Sequence, residues 1–243
     1  MSQPPDDGRP AAGTIESLYP FLYSGQTDVS AVLEQVRAST VAKASEIIEL
    51  RRAVRDADGG RLAACAKEMA DRFASGGRLL AFGNGGSATD AQQLVTTFLQ
   101  PGGSATPLPA LGLASDTSVL TALANDIGVD VIFARQLAAF GGKADIAVGL
   151  STSGNSENLL RGFDEASRRG MLTIGIAGYQ GGKMAELDSV DYLFVAPSSS
   201  VHRIQEAQTT MYHVLWELCQ AALGTSQHRP PPGQAQGARQ ESP

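Results

Sequence analysis

Three stretches of small residues in this sequence could bind an anion. They read Gly83-Asn84-Gly85-Gly86-Ser87, Ser151-Thr152-Ser153-Gly154-Asn155-Ser156 and Gly178-Tyr179-Gln180-Gly181-Gly182. Glycines let backbone N–H groups approach an anion closely, hydroxyls add donors, and a following helix contributes the partial positive charge of its N-terminus. The second stretch holds four hydroxyls in six residues, whereas a helix N-cap needs only one. The first two stretches together therefore predict a phosphate site.

The surrounding residues disfavour two other phosphate ligands. Gly83-x-Gly85-x-x-Ala88 satisfies the dinucleotide fingerprint, but that fingerprint also requires an acid about 20 residues later to bind the ribose. From Ala91 through Ser115 there is no Asp or Glu. A P-loop is also disfavoured, because no Gly-Lys-Ser/Thr follows at the required spacing. A nicotinamide enzyme and a P-loop nucleotidase are therefore the weaker interpretations.

The segments around these stretches predict a parallel α/β sheet. Short aliphatic runs alternate with helical periodicity, which is typical of a parallel sheet with helices on both faces and right-handed crossovers. In such a sheet the ligand lies beyond the carboxyl ends of the strands. Strands are predicted near Arg78–Phe82, Ala110–Ala114, Asp145–Leu150, Leu172–Ala177 and Tyr192–Val195, and helices near Ser87–Leu99, Thr117–Ile127, Val129–Phe140, Ser156–Arg169 and Lys183–Leu187.

Helices flank this region on both sides and predict an oligomer. Helical spacing of apolar residues runs through Val29–Val54 and then through Arg61–Ser75 ahead of the sheet. A last helix, from about Arg203 to Leu223, carries a wide apolar stripe that could bury against the body or a neighbouring subunit. The stripe consists of Ile204, Ala207, Met211, Val214, Leu215, Leu218 and Ala222.

Length and composition predict one domain and exclude several classes. The chain has 243 residues, of which 42% are hydrophobic, so one α/β domain over residues 14–223 is expected. Residues 1–13 and 224–243 have the composition of disordered tails, and His228 lies in the second of them. A net charge of −6 without a basic block argues against direct nucleic-acid binding.

Other features predict a soluble, cytoplasmic protein that does not bind a membrane. The N-terminus lacks a signal-peptide pattern, and no apolar run approaches the ~18 residues of a membrane span. Cys65 and Cys219 lie in apolar helical segments without metal-site spacing, so both are expected to be small buried hydrophobic residues.

Six segments in register resemble one family. GNGGSATDAQ, SDTSVLTALANDIG, IFARQ, GLSTSGNSENLL, GMLTIGIAGYQGGKMAEL and RIQEAQTTMYH are similar, in order and spacing, to the sugar isomerase (SIS) domain of the phosphoheptose isomerases. The resemblance covers about Val29 to Leu223. It implies a flavodoxin-like three-layer fold with five parallel strands, a homotetramer, and a site at subunit junctions that holds sedoheptulose 7-phosphate.

The resemblance also implies roles for individual residues. Asp116 and Thr117 fall on a segment that lies beside the sugar in the family. The substrate and its phosphate are held, by the same resemblance, at Asn84, Gly85, Ser87, Ser151, Thr152, Ser153 and Ser156.

Ketose–aldose isomerisation moves a proton between adjacent carbons through an enediol(ate), so it needs a base, an acid and an electropositive group at the oxygens. The resemblance implies that a Glu, a His and often a zinc ion supply these functions. Gln205 and His213 match the family's last-helix ligands and, eight residues apart, point to one face of the helix. Gln93 and Thr97 stand where the family has His and Glu, so any zinc site is expected to be weak. His202 stands where an acid is common.

Two functional hypotheses follow. In the first, the protein is an isomerase in which His213 shuttles the proton and Gln205 orients the sugar oxygens, while His202, Asp116 or a carboxylate of another subunit replaces the missing Glu. In the second, it binds a phosphosugar without isomerising it and acts as a sensor, a scaffold, a regulatory subunit or a partner of an intact paralogue. The aromatic segment Leu18–Tyr23 is expected to dock on the protein's own oligomer or on a protein partner.

Overall fold

The computed structural model describes residues 29–103 and 105–227, and the chain divides into two compact units, residues 1–46 and 47–243. The expected tail at residues 1–13, residues 228–243 of the tail expected at 224–243, and the segment Leu18–Tyr23 lie outside the described residues. The last helix continues through residues 224–227, which were expected to belong to that tail.

The described part of the first unit is the beginning of helix α1 (Val29–Ala74). From residue 30 to residue 46 every side chain is exposed. Large aliphatic residues are among them, including Leu33 at 62% and Val41 at 61% relative exposure. This segment therefore presents apolar side chains that are exposed in the described part of the chain.

The sequence predicted two helices in the region that α1 spans, and this was wrong. Helix α1 continues through Gly59 and Gly60 without a break. Each glycine disfavours a helix by about 1 kcal/mol relative to alanine. The buried residues Val54 and Leu62 nevertheless lie eight positions apart on either side and belong to one core cluster. Tertiary packing on both sides therefore outweighs the local propensity.

The second unit contains the predicted five-stranded parallel sheet. In chain order its strands are β1 (Leu79–Gly83), β2 (Ala110–Gly112), β3 (Ile146–Ser151), β4 (Leu172–Gly178) and β5 (Tyr192–Ala196). They are arranged β2-β1-β3-β4-β5, and all pairs are parallel. This is the flavodoxin-like order, in which the strand sequence reverses direction between β1 and β3.

Helices cover both faces of the sheet. They are α2 (Gly86–Leu99), α3 (Thr117–Asp126), α4 (Ile132–Phe140), α5 (Glu157–Arg168) and α6 (Val201–Gln227). One core cluster joins the strands to α1, α2 and α6, and the other joins them to α4 and α5. Alternate residues of β1 divide between the clusters, with Leu79 and Ala81 in the first and Leu80 and Phe82 in the second. The sheet thus forms the middle of a three-layer sandwich.

Three predicted elements differ in detail. Strand β2 ends at Gly112 instead of Ala114, because the chain turns there and Ser115 N donates to Gly112 O at 3.3 Å. The helix predicted over Val129–Phe140 starts with a 3₁₀ turn, Val129–Val131, before α4. The one predicted at Lys183–Leu187 is a 3₁₀ helix over Gly182–Glu186.

Both cysteines are buried, as predicted. Cys65 and Cys219 have no exposed surface, and burial raises the pKa of each thiol well above its ordinary value. They therefore behave as small apolar core residues. Within residues 29–103 and 105–227, no helix is both long and apolar enough to cross a membrane.

Candidate functional site

Two of the glycine- and serine-rich stretches meet where the strand order reverses. Loop 1 (residues 83–87) follows β1, and loop 2 (residues 151–156) follows the adjacent strand β3, with Gly83 paired to Leu150 at the strand ends. Crevices at such a reversal, beyond the carboxyl ends of the strands, are where ligands bind in open α/β sheets. The structure places loops 1 and 2 side by side, while their role in binding a phosphate stays a prediction.

Loop 1 leads directly into α2. The carbonyl oxygen of Asn84 accepts hydrogen bonds from Ser87 N at 3.0 Å and Ala88 N at 3.4 Å, which closes the first turn. Ser87 is buried at 5% exposure, whereas Asn84 and Gly85 are exposed. The loop therefore presents Asn84 and Gly85 at the surface, next to the N-terminus of α2.

A reciprocal hydrogen-bonded pair, the amide clasp, connects loop 1 to α5. Asn84 Nδ2 donates to Asn158 Oδ1 at 2.8 Å, and Asn158 Nδ2 donates to Asn84 Oδ1 at 3.0 Å. Asn158 lies in the first turn of α5, directly after loop 2. Sequence reasoning missed it, although an asparagine two residues beyond a serine-rich loop is a polar residue in a largely apolar turn.

The serine side chains of loop 2 organise the loop through their oxygen lone pairs. Ser151 Oγ accepts from Gly154 N at 3.0 Å, and Ser153 Oγ accepts from Asn155 N at 3.3 Å. Ser156 caps α5 through its carbonyl oxygen and makes no side-chain cap bond. A hydroxyl that accepts in this way keeps its own O–H for donation. Together with the half-buried Thr152, these residues leave hydroxyl donors at the end of β3.

Loop 3 (residues 178–182) and the 3₁₀ helix Gly182–Glu186 that follows it support loop 2. Lys183 N donates to Asn155 Oδ1 at 2.9 Å, and Met184 N donates to Gly154 O at 2.9 Å. Gly154 has φ +66°, and a Cβ there would collide with the carbonyl oxygen of Gly181. Only glycine combines this backbone conformation with so close an approach. Sequence reasoning did not separate this supporting role from that of the other two loops.

Gln205 of α6 faces the start of α2. Its Nε2 donates to Asp90 Oδ2 at 3.0 Å, and a Cβ on Gly86 would lie 2.5 Å from the same nitrogen. Burial raises the pKa of Asp90 above its ordinary value, and the hydrogen bond from Gln205 partly offsets this rise. Asp90 was not predicted from the sequence, although a carboxylate one turn after Ser87 could have indicated it.

A buried glutamine on α6 also holds the strand ends. Gln208 has no exposed surface, and its Nε2 donates to Ser151 O at 3.3 Å and to Ile176 O at 3.0 Å. It therefore ties α6 to the carboxyl ends of β3 and β4. Its position on the apolar face of a helix gave no sequence signal that it would do so.

The remaining predicted site residues have these positions. His213 is half-buried on α6, with its ring 5.1 Å from that of Tyr212. Asp116 caps α3 by accepting from Ser118 N and Val119 N, while Thr117 begins that helix and is exposed. His202 is exposed in the first turn of α6. In the described part of the chain no hydrogen bond joins these residues to loop 1 or loop 2, so their roles stay predictions.

Gln93 and Thr97 lie one turn apart on α2. Gln93 is exposed, and Thr97 Oγ1 donates to Gln93 O at 2.9 Å. This hydroxyl therefore bonds back to its own helix instead of acting as a base.

The side chains do not fit a zinc site. Zinc in proteins takes at least three ligands from Cys, His, Asp and Glu. No group of three such residues is suitably placed among the residues that the structure describes. His213 and the amide of Gln205, which is already bonded to Asp90, are too few.

Comparisons with known proteins show the family of this chain. The SIS domain model matches residues 42–178. The phosphoheptose isomerase of Aquifex aeolicus is 46% identical over 154 residues, covering 62% of this chain and 78% of the relative. That of Pelodictyon phaeoclathratiforme is 42% identical over 179 residues, covering 72% and 84%. The structure of the phosphoheptose isomerase from Neisseria gonorrhoeae superimposes with a TM-score of 0.70 at 32% identity and covers 76% of this chain and 99% of its own.

Proposed function

We infer the function from the premise that the chain belongs to the SIS domain family and is similar to phosphoheptose isomerases. We propose that it binds a sugar phosphate at the ends of β1 and β3. The proposed reaction is the conversion of a ketose phosphate to an aldose phosphate, with sedoheptulose 7-phosphate as the substrate.

The observation that carries the proposal is the hydrogen bonding of the loop 2 hydroxyls. Ser151 and Ser153 use their oxygens to accept backbone N–H groups, and these bonds leave each hydroxyl proton for donation. Ser153 is half-buried whereas Ser151 is buried, so Ser153 is the more accessible donor to an external acceptor. A phosphate offers three strong acceptor oxygens and suits such a set of donors. The N-termini of α2 and α5 at the same end of the sheet add favourable electrostatics.

The sugar end of the ligand is assigned to α6. Because Gln205 Nε2 donates to Asp90, its Oε1 is oriented away from that carboxylate and can accept a sugar hydroxyl. We assign the proton shuttle between the adjacent carbons to His213, because an imidazole can both accept and donate a proton. The half-buried carboxylate of Asp90 holds Gln205 in place. No step is assigned to a metal ion, because the side chains of residues 29–103 and 105–227 do not form a zinc site.

A discontinuous assay tests the proposal. The full-length protein is incubated with sedoheptulose 7-phosphate, and the aldose phosphate is quantified by mass spectrometry after chromatographic separation. Conversion that is lost in His213→Ala, while the affinity for substrate stays within a few-fold of wild type, supports the assignment. The exposed His202→Ala is measured in parallel, because His202 is the other histidine of α6 and a candidate replacement for the missing Glu.

A second candidate function is phosphosugar binding without turnover. It is favoured by Gln93 and Thr97, because an amide cannot replace the family's imidazole and a hydroxyl cannot replace its carboxylate base. The names of the relatives do not favour it. Saturable binding of sedoheptulose 7-phosphate by calorimetry, with no conversion at any protein concentration, would decide for this candidate.

We also propose that the protein is a cytoplasmic homotetramer, with its apolar helix surfaces buried between copies. Leu33 and Val41 in the first part of α1 are mostly exposed within one chain. Docking of Leu18–Tyr23 on the oligomer, or on a protein partner, is proposed on composition alone.

A further inference from the structure

The amide clasp crosses the place where the strand order reverses. Asn84 and Asn158 are 74 residues apart in the chain, one after β1 and the other after β3, and both polar atoms of each amide take part. The two asparagines differ in exposure, since Asn158 is buried at 7% while Asn84 is exposed. The buried partner lies on the protein side of the pair, and the exposed partner lies on the solvent side.

The clasp determines how Asn84 is oriented. A side-chain amide has two N–H groups, and the bond to Asn158 uses one of them. Turning the Asn84 amide over would place nitrogen against nitrogen and oxygen against oxygen, so both bonds would be lost. Asn158 therefore fixes the direction in which the second N–H of Asn84 points.

The clasp also joins two segments that bear charge of the same sign. Helices α2 and α5 begin at the same end of the sheet, one beside each partner of the clasp. Their partially positive N-termini repel each other unless an anion lies between them. A neutral amide pair holds the two segments together without adding a negative charge that would compete with that anion.

We propose that Asn158 is a positioning residue for phosphate binding, which it supports by orienting the amide of Asn84 and fixing the spacing of loops 1 and 2. It acts through Asn84 and does not itself touch the ligand. This inference rests on the proposed function, because it requires a phosphate-bearing ligand at these loops. It adds a residue that lies outside both loops.

Calorimetric titration of the full-length protein with inorganic phosphate and with sedoheptulose 7-phosphate tests the proposal. Asn158→Ala should weaken both affinities about 10-fold, the size expected for losing one positioned hydrogen-bond donor. Asn158→Asp keeps the volume but replaces the N–H donor to Asn84 Oδ1 by a carboxylate oxygen and adds a negative charge at the N-terminus of α5, so it should weaken both affinities at least about 10-fold further. Asn125→Ala, an exposed asparagine on α3, is the matched control and should bind like wild type.

A double-mutant cycle separates positioning from simple packing. If Asn158 acts through Asn84, adding Asn158→Ala to Asn84→Ala should cause no further loss of affinity. A packing role predicts the opposite. Asn158→Ala would then still weaken binding in the Asn84→Ala background, and Asn158→Ala would bind more weakly than the isosteric Asn158→Asp. Urea unfolding of each variant shows that the proteins compared are folded.

The binding results distinguish failure of the positioning role from failure of the proposed function. If wild type binds neither inorganic phosphate nor sedoheptulose 7-phosphate, both are overturned. If wild type binds, and Asn158→Ala and Asn158→Asp both bind as tightly as wild type, only the positioning role is overturned. If Asn158→Ala does not fold, the aspartate variant alone decides, since unchanged binding in that variant contradicts the proposal.

Discussion

At the scale of single residues, the site depends on amide and carboxylate side chains that orient one another. Asn84 is held by Asn158, and Gln205 is held by Asp90. In each pair the residue predicted from the sequence is oriented by a partner that was not predicted. Orientation of this kind decides which atoms face a ligand, and composition carries no information about it.

Asp90 gives a prediction about pH and stability. Burial raises the pKa of this carboxylate, so the folded state resists its ionisation and loses stability as the pH rises from about 4, the unfolded value, through the folded pKa. Asp90→Asn removes this cost and can still accept from Gln205. We expect its free energy of unfolding to match wild type below about pH 4 and to exceed it at higher pH.

Urea unfolding at several pH values measures this difference. The exposed Asp126 provides the control, since Asp126→Asn should not show the same rise with pH. A difference between Asp90→Asn and wild type that shrinks with rising pH would contradict the prediction.

Gln93 and Thr97 give a prediction about zinc. As purified, the protein should hold well under one zinc ion per chain, because too few ligands are assembled among the residues that the structure describes. The double variant Gln93→His/Thr97→Glu places an imidazole and a carboxylate one turn apart on α2. We expect it to bind zinc at least ~10-fold more tightly than wild type, measured by competition with a chromophoric chelator.

The control for this experiment is the pair Gln92→His/Thr96→Glu, which has the same spacing but lies one position earlier on the helix. Equal zinc affinity in the two double variants would show that the position on α2 is irrelevant and would contradict the prediction.

At the scale of elements, α1 shows where packing overrides propensity. It contains two adjacent glycines, and a Cβ on Gly60 would meet no atom within 4 Å. We expect Gly60→Ala to stabilise the protein by about 0.5–1 kcal/mol, because alanine costs less backbone entropy in a helix. Thermal and urea unfolding measure the change.

A second glycine at the end of the same helix is the contrast. Gly76 also has open space around a built Cβ, but its φ is +82°. Gly76→Ala should therefore destabilise the protein by about 1 kcal/mol, through backbone strain alone. If Gly60→Ala and Gly76→Ala changed the free energy of unfolding in the same direction, the conformations assigned to these two glycines would be contradicted.

At the scale of the whole molecule, the exposed apolar residues of α1 give a prediction about assembly. Leu33 is 62% exposed within one chain, so replacing it should not affect folding of that chain. If this surface is buried between copies, Leu33→Glu should shift the mass from tetramer to smaller species, measured by sedimentation velocity. The neighbouring Glu34→Gln should leave the mass unchanged, and an unaltered tetramer in Leu33→Glu would contradict the proposed interface.

Sequence periodicity determined most of the architecture. Strand positions such as Asp145–Leu150 and Leu172–Ala177 were predicted to within about a residue of β3 and β4, because a strand buried on both faces is a continuous aliphatic run bounded by glycines and serines. The same signals located loops 1 and 2. They could not show that α1 is continuous, because the energy that carries it through Gly59 and Gly60 comes from side chains distant in sequence.

Only the tertiary structure decided which polar groups pair. The hydroxyls of loop 2 were evident from their spacing, but the clasp and the Gln205–Asp90 bond join residues 74 and 115 positions apart. A hydrogen bond depends on distances of a few tenths of an ångström and on angles, which local propensity does not encode. The sequence by itself therefore specified the sheet and its loops and predicted a phosphate-bearing ligand, and folding determined the partner and direction of each side chain.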